Sequence, residues 1–417
     1  MENKFVQYQV TAPESLREVT ISLPASKSIS NRAHIIRALT NDPLQVLNLS
    51  DCDDTRVMDE VFRSEGSVFD IGHAGTAMRF LTAWLAIRPG EWLLTGSERM
   101  KQRPIRVLVE ALTGLGAKIR YAGKEGFPPL EISGFPMTGG VVELNGSVSS
   151  QYISALLMIA PALEGGLTIR LKNRLISRSY VEMTLKLMEK FGIRYSWKNK
   201  EINVPQQAYQ PLEYRVEADW SAASYWYEIL ALCPSGTFLL EGLTRSGLQG
   251  DEAVSHWFTS FGIESHSCGE GVRIVRKEDT QPVRIFLSFH ENPDLAQTMA
   301  PLCVAKKIPF HFTGLETLKI KETNRIAALQ AELKKLGALL TEPAEGELKW
   351  DGVIHPEWIQ DVPVIETYND HRMALAFAPL ALTGKPFIIE NPEVVTKSYP
   401  GFWEDLRKTG MKISSVP

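Results

Sequence analysis

The chain has 417 residues, enough for two or three domains. Its 44% hydrophobic and 23% charged content is that of an ordinary globular protein. A formal net charge of −4, from 45 basic and 49 acidic residues, argues against a general nucleic-acid binder. Cys52, Cys233, Cys268 and Cys303 show neither a C-x-x-C pair nor metal-ligand spacing, so they read as reduced thiols. No apolar run approaches the roughly 18 residues of a membrane span. The start, MENKFVQYQV, lacks the apolar core of a signal peptide and the bias of a transit peptide. The expectation is a cytoplasmic protein with no membrane or nucleic-acid partner.

Two strands are predicted first, FVQYQV (5–10) and VTISLP (19–24). They precede the first of six similar units, and the expectation is that they pair with the other half of the chain. Next comes SLPASKSISNRAHIIR (22–37), where Ser26, Lys27, Ser28, Ser30 and Arg32 open a helix. Serines there cap free N–H groups, and the helix dipole favours an anion. The glycines of a nucleotide P-loop are absent.

A repeat then emerges. Helices nearly apolar on every side begin near Ser26, Gly75, Ser149, Asp219, Pro293 and Asn369. Between them, amphipathic helices run into Gly66, Gly116, Gly192, Gly262, Gly337 and Gly410, each read as a left-handed helix stop. A helix apolar all round must be enclosed, as YISALLMIAPAL (152–163) and RMALAFAPLAL (372–382) would be. Six units of roughly 70 residues exceed one core, which predicts two α/β domains of three units each. The first would be 23–218, and the second 219–417 joined by 1–22.

The starts of the buried helices carry the chemistry. HAGTAMRFL (73–81) places Gly75 and Thr76 at a helix start, with Arg79 a turn on. ERMKQRPI (98–105) gathers Arg99, Lys101 and Arg103 before Pro104, a residue suited to the first helical position. Ser149, Ser150 and Gln151 form a neutral cradle, and ISRSY (176–180) adds Ser177, Arg178 and Tyr180. In ENPDLAQTM (291–299), Asn292 is a cap and Asp294 sits in the first turn. IKETNRIAALQ (320–330) puts Lys321, Glu322 and Arg325 on the first turns of a helix. TYNDHRMAL (367–375) sets Asp370, His371 and Arg372 at the mouth of the most apolar helix, and Lys397 follows in VVTKSYP (394–400). Singly, each motif also reads as a capped helix, a solvated basic loop or an (i, i+3) ion pair. Together they make an anion site in which Asp294 and Glu322 are the recurrent acids. Such a set suits two anionic substrates joined by proton transfer.

PASKSISNR (24–32), AGTAMR (74–79), RMKQRP (99–104), SSQY (149–152), QGD (249–251), NPD (292–294), KETNR (321–325), YNDHRM (368–373) and Lys397 occur in this order along nearly the whole chain. In this the chain resembles the 3-phosphoshikimate 1-carboxyvinyltransferase family of enolpyruvyl transferases. The resemblance implies a two-domain, inside-out fold of βαβαββ-type units closing on substrate. It implies transfer of the enolpyruvyl group of phosphoenolpyruvate to the 5-hydroxyl of shikimate 3-phosphate, through a tetrahedral intermediate, with release of phosphate. No cofactor or metal is implied, and the protein would act as a monomer. Lys27, Ser28, Arg32, Ser149, Ser150, Gln151, Ser177, Asp294 and Lys321 would bind shikimate 3-phosphate. Lys27, Gly75, Arg103, Gln151, Arg325, Arg372 and Lys397 would hold phosphoenolpyruvate. Asp294 would be the base at the hydroxyl, Glu322 the proton-transfer partner at the methylene carbon, and Lys27 would serve both substrates. The chain departs from the family at His73, where Asn is frequent, at Phe80, where many members have Pro, and at Asn324, where Asp is commonest. Enolpyruvyl transferases acting on UDP-sugars carry a reactive Cys in the loop matching 88–103, and none is present here. A passive metabolite-binding protein is disfavoured, because Asp294 and Glu322 would weaken anion capture.

Overall fold

The structure is a computed structural model describing residues 6–40, 45–146, 149–173 and 175–416. Phe5 of the first predicted strand lies outside the described residues. The chain divides into two compact units, one of Ala25–Val216 and one of Met1–Pro24 with Glu217–Pro417.

In the Ala25–Val216 unit, strand Val68–Asp70 lies parallel to Gly90–Thr95, and helix Gly75–Ile87 makes the crossover that a parallel pair requires. Leu130–Gly134 and Lys118–Tyr121 extend this sheet antiparallel. The pattern returns with Thr138–Asn145 parallel to Glu164–Lys172 across helix Ser150–Ile159, followed by Glu201–Val204 and Ser196–Lys198. A third sheet is only Val46–Leu47 against Tyr214–Arg215. Helix Gly75–Ile87 is buried from Ala77 to Ala86, and helix Ser150–Ile159 from Tyr152 onward. Their apolar runs have no polar face to offer water, so the amphipathic helices Asp53–Arg63, Arg106–Gly114 and Arg178–Lys190 cover them.

The other unit uses the same plan. Val364–Ile365 pairs parallel with Phe387–Glu390 across helix His371–Phe377, and Ile285–Ser288 pairs parallel with Phe310–Thr313 across helix Ala296–Ala305. The strands nearest the start belong here. Gln7–Thr11 sits between Phe387–Glu390 and Lys412–Val416, and Val19–Ser22 runs parallel to Gly236–Glu241. Helix Trp220–Leu232 is buried from Ala222 to Ala231. The fully buried Arg276 side chain closes its C-terminus by donating to the carbonyls of Leu230, Ala231 and Cys233, where the helix dipole favours a cation.

Several local expectations are corrected. Gly116, Gly192, Gly262, Gly337 and Gly410 take positive φ, but Gly66 does not, because its helix already ends at Ser64. Ser26 stands at the N-cap of helix Lys27–Leu39 without a side-chain cap bond, and Ser30 Oγ instead accepts from Ser50 N at 2.9 Å. Asn292 does not cap with its side chain, which donates to Asp251 at 3.2 Å. Pro104 precedes its helix, which begins at Arg106. Lys321 and Glu322 are on a loop rather than a helix. Asn324 accepts from Ala327 N at 3.2 Å, so the helix starts after it, at Arg325.

Candidate active site

The Ala25–Val216 unit carries a mostly cationic and hydroxyl-bearing set. Lys27 begins helix Lys27–Leu39 and lies 3.7 Å from Asp54, a buried acid in the first turn of helix Asp53–Arg63. Arg103 is buried, its Nε has no protein partner, and it makes no ion pair among the described residues. Its guanidinium rests on Gly75: a Cβ there would lie 2.7 Å from Nη2. Gly75 is thus needed for close approach of side chain to backbone. Arg79 holds the neighbouring chain, donating to the carbonyls of Gly75 (3.2 Å) and Pro104 (2.9 Å). Gln151 Nε2 donates to Thr76 Oγ1 at 3.3 Å, which joins the starts of two buried helices. Ser149 caps its helix by accepting from Gln151 N at 3.3 Å, and Ser150 follows it, buried. Ser177, also buried, precedes helix Arg178–Lys190 in a left-handed conformation, φ 55°.

Arg32 is a special case. Nε donates to Thr184 Oγ1 (2.7 Å), Nη1 to the Ser28 carbonyl (2.8 Å), and Nη2 to Ser154 Oγ and the Tyr180 carbonyl (both 3.2 Å). Four of its five N–H groups are spent inside the protein, which leaves one on Nη1 for a ligand. Its guanidinium also sits 5.3 Å from the Phe80 ring, so the Phe that replaces the family's Pro packs against a predicted substrate ligand. Burial pulls its pKa down to about 10.

The second unit gathers four cations around three carboxylates. Asp294 lies 2.8 Å from Arg325 Nη1, 3.1 Å from Arg372 Nη2 and 3.5 Å from Lys321 Nζ. Glu322 lies 2.9 Å from both Arg325 Nη2 and Lys397 Nζ. Asp370 caps helix His371–Phe377 through Arg372 N and grips Arg325 Nε at 2.6 Å. Burial alone would raise the Asp294 carboxyl, but Arg372, Lys321 and Arg325 outweigh it and hold it well below the usual carboxylate range. The same carboxylates push Arg325 up against its burial, whereas burial lowers Lys321.

Residue-by-residue reading missed Asp251 as a participant, although QGD was part of the resemblance. It accepts from Ser221 Oγ and Asn292 Nδ2, beside Asp294 and Arg372. Burial, with repulsion from Asp294, pushes it up to about 6 although both donors favour its charge. Asp54 was missed for the same reason: its partner, Lys27, is distant in sequence. His73 hydrogen-bonds Ser97 Oγ through Nδ1 at 2.9 Å.

In the first unit, then, cations and hydroxyls cluster at buried helix starts. In the second, acids lie among lysines and arginines. Both sets lie in an α/β fold, and both have the charges and donors that could hold anions. The family model for EPSP synthase (3-phosphoshikimate 1-carboxyvinyltransferase) matches residues 63–406. A 3-phosphoshikimate 1-carboxyvinyltransferase of Bacteroides fragilis is 50% identical over 409 residues, covering 98% of this chain and 99% of the relative. One from Photobacterium profundum is 34% identical, covering 93% and 95%. The solved EPSP synthase of Acinetobacter baumannii shares the fold, with a TM-score of 0.78 at 20% identity over 99% of this chain and all of that one. The chain belongs to the EPSP synthase family.

Proposed function

We propose that the two clusters serve one reaction, with Asp294 and Glu322 carrying its proton transfers and Lys27 serving both substrates. As a member of its family the chain moves the enolpyruvyl group of phosphoenolpyruvate to the 5-hydroxyl of shikimate 3-phosphate and releases phosphate. The hydroxyl oxygen bonds to the central carbon of phosphoenolpyruvate while the methylene carbon gains a proton. The resulting tetrahedral intermediate then loses phosphate and that methyl proton. Asp294 accepts the hydroxyl proton and gives it up to the departing phosphate, and Glu322 delivers and recovers the proton at carbon. Ser28, Ser149, Ser150, Gln151, Ser177, Lys321 and the remaining N–H of Arg32 hold shikimate 3-phosphate. Arg103, Arg325, Arg372 and Lys397 hold the carboxylate and phosphate of phosphoenolpyruvate, with Gly75 giving Arg103 its room. Lys27 and Gln151 reach both substrates.

The observation that carries this reading is the pairing of the half-buried Asp294 and Glu322 with four cations. Without substrate, Asp294 is too well paired to be a base. An incoming phosphate and carboxylate compete for Arg372 and Arg325, and each cation drawn away raises the proton affinity of Asp294. The base is thereby switched on by the substrate it needs. The reaction so proposed needs residues of both clusters on the same substrate pair. One chain carries both sets, which supports a monomer. The free cysteines, with Cys268 exposed, support the cytoplasm; among the described residues no helix is long and apolar enough to cross a membrane.

Asp294→Asn and Glu322→Gln keep shape and remove titration. Turnover should fall by about a hundredfold or more while calorimetry still shows shikimate 3-phosphate binding. Lost binding with unchanged turnover per bound complex would reassign both residues to substrate capture.

A further inference from the structure

The loop ahead of helix His371–Phe377 delivers both Asp370 and Arg372, and its backbone is held against preference. Tyr368 and Asn369 occupy the left-handed region in succession, at φ 53° and 54°. Two adjacent non-glycine residues stay there only where their surroundings over-determine them. Most of the ties come from one helix. Arg325, at the start of helix Arg325–Lys334, holds Asp370 through Nε (2.6 Å) and Nη2 (3.2 Å). Seven residues on, two turns along the same face, stands Glu332. It is 1% exposed. Its Oε1 accepts from the Tyr368 hydroxyl at 2.8 Å and its Oε2 from Glu366 N at 3.1 Å. Lys335 Nζ, just past the helix, ties Glu332 Oε2 to the Val364 carbonyl, both at 2.7 Å. Asn391 Nδ2 completes the set on Asn369 Oδ1 at 2.9 Å.

We propose that Glu332 and Tyr368 are positioning residues for phosphoenolpyruvate, pinning the left-handed turn that aims Arg372 while touching no substrate themselves. Helix Arg325–Lys334 then supplies one substrate cation directly, Arg325, and sets the other, Arg372, through Glu332. Untied, Tyr368 and Asn369 fall back to commoner conformations and the start of the next helix shifts with them. The Arg372 guanidinium, now 3.1 Å from Asp294, loses its aim. This rests on the assignment of Arg372 to phosphoenolpyruvate, so the test carries an arm for that assignment.

Tyr368→Phe removes one hydroxyl, and Glu332→Gln keeps the shape while removing one of two equivalent acceptors. Both variants, their double and Arg372→Ala are compared with the parent by thermal melting and by the KM for each substrate. Tyr368→Phe should raise the KM for phosphoenolpyruvate at least fivefold, with the KM for shikimate 3-phosphate within twofold. The double variant should lose no more than the worse single one, since the hydrogen bond the two residues share is already broken in either single variant. A rise of less than fivefold in both single variants overturns the proposal whatever the melting temperature, as does an equal rise in both KM values. If Arg372→Ala leaves the KM for phosphoenolpyruvate unchanged, the substrate assignment has failed and the positioning role falls with it. If Arg372→Ala raises it and Tyr368→Phe does not, only the positioning role falls.

Discussion

Gly75 and Arg103 act as a pair in which neither explains itself alone. The glycine leaves open the space that the guanidinium occupies, and the guanidinium is buried beside it with no carboxylate partner among the described residues. Gly75→Ala would push the flexible end of Arg103 aside without disturbing backbone, so the fold should survive. Displacing one charge-assisted bond costs on the order of 2 kcal/mol, or about 30-fold. The KM for phosphoenolpyruvate should therefore rise by about that factor at nearly unchanged melting temperature; a KM within twofold of the parent would show that Arg103 does not bind this substrate. Gly75 and Arg103 were both legible, because each lies in a short motif. Asp54, Asp251 and Glu332 were not. Their partners lie 27, 41 and 36 residues away, at Lys27, Asn292 and Tyr368, and no local pattern encodes a pairing made only by the fold.

Helix ends show the same boundary between what is local and what is not. Asp219, Ser149 and Asp370 cap their helices with their own side chains, a choice made within two residues of sequence. Asn292 fills the same position but gives its side chain to Asp251, a tertiary competitor that propensity cannot see. Lys321 and Glu322 read as part of the first turns of the helix that carries Arg325, but the side chain of Asn324 caps it after them. Helix Trp220–Leu232 hides a further surprise within its apolar run. Glu228 is 0% exposed, and neither carboxyl oxygen has a hydrogen-bond partner among the described residues. Burial raises its pKa well above the ordinary value. The unfolded chain ionises near pH 4.3. The favourable difference is complete below that pH and shrinks as pH rises toward the folded value. Glu228→Gln removes the titration, so the variant should gain stability relative to the parent as pH rises above about 4.5. Denaturant melts across that range would test this, and parallel profiles would mean that Glu228 is ionised in the fold.

At the scale of the whole molecule, the hydrophobic pattern announced an α/β protein with enclosed helices, because a helix without a polar face has nowhere else to go. The sheets are less even than the helices. Among the described residues, the one formed by Val46–Leu47 and Tyr214–Arg215 has two strands, and the one around Phe310–Thr313 has three, where others have four. Short strands are set by pairing partners from far along the chain, so their number could not be counted from periodicity. The central claim is that residues from both units act on one pair of substrates, and phosphorus NMR of the parent with phosphoenolpyruvate and shikimate 3-phosphate tests it most directly. Free phosphate should appear in step with the enolpyruvyl product, one for one, and Arg103→Ala from one unit and Arg372→Ala from the other should each slow it by about 30-fold or more. A folded parent that binds shikimate 3-phosphate yet releases no phosphate, or a parent rate retained when either arginine is removed, would contradict the account.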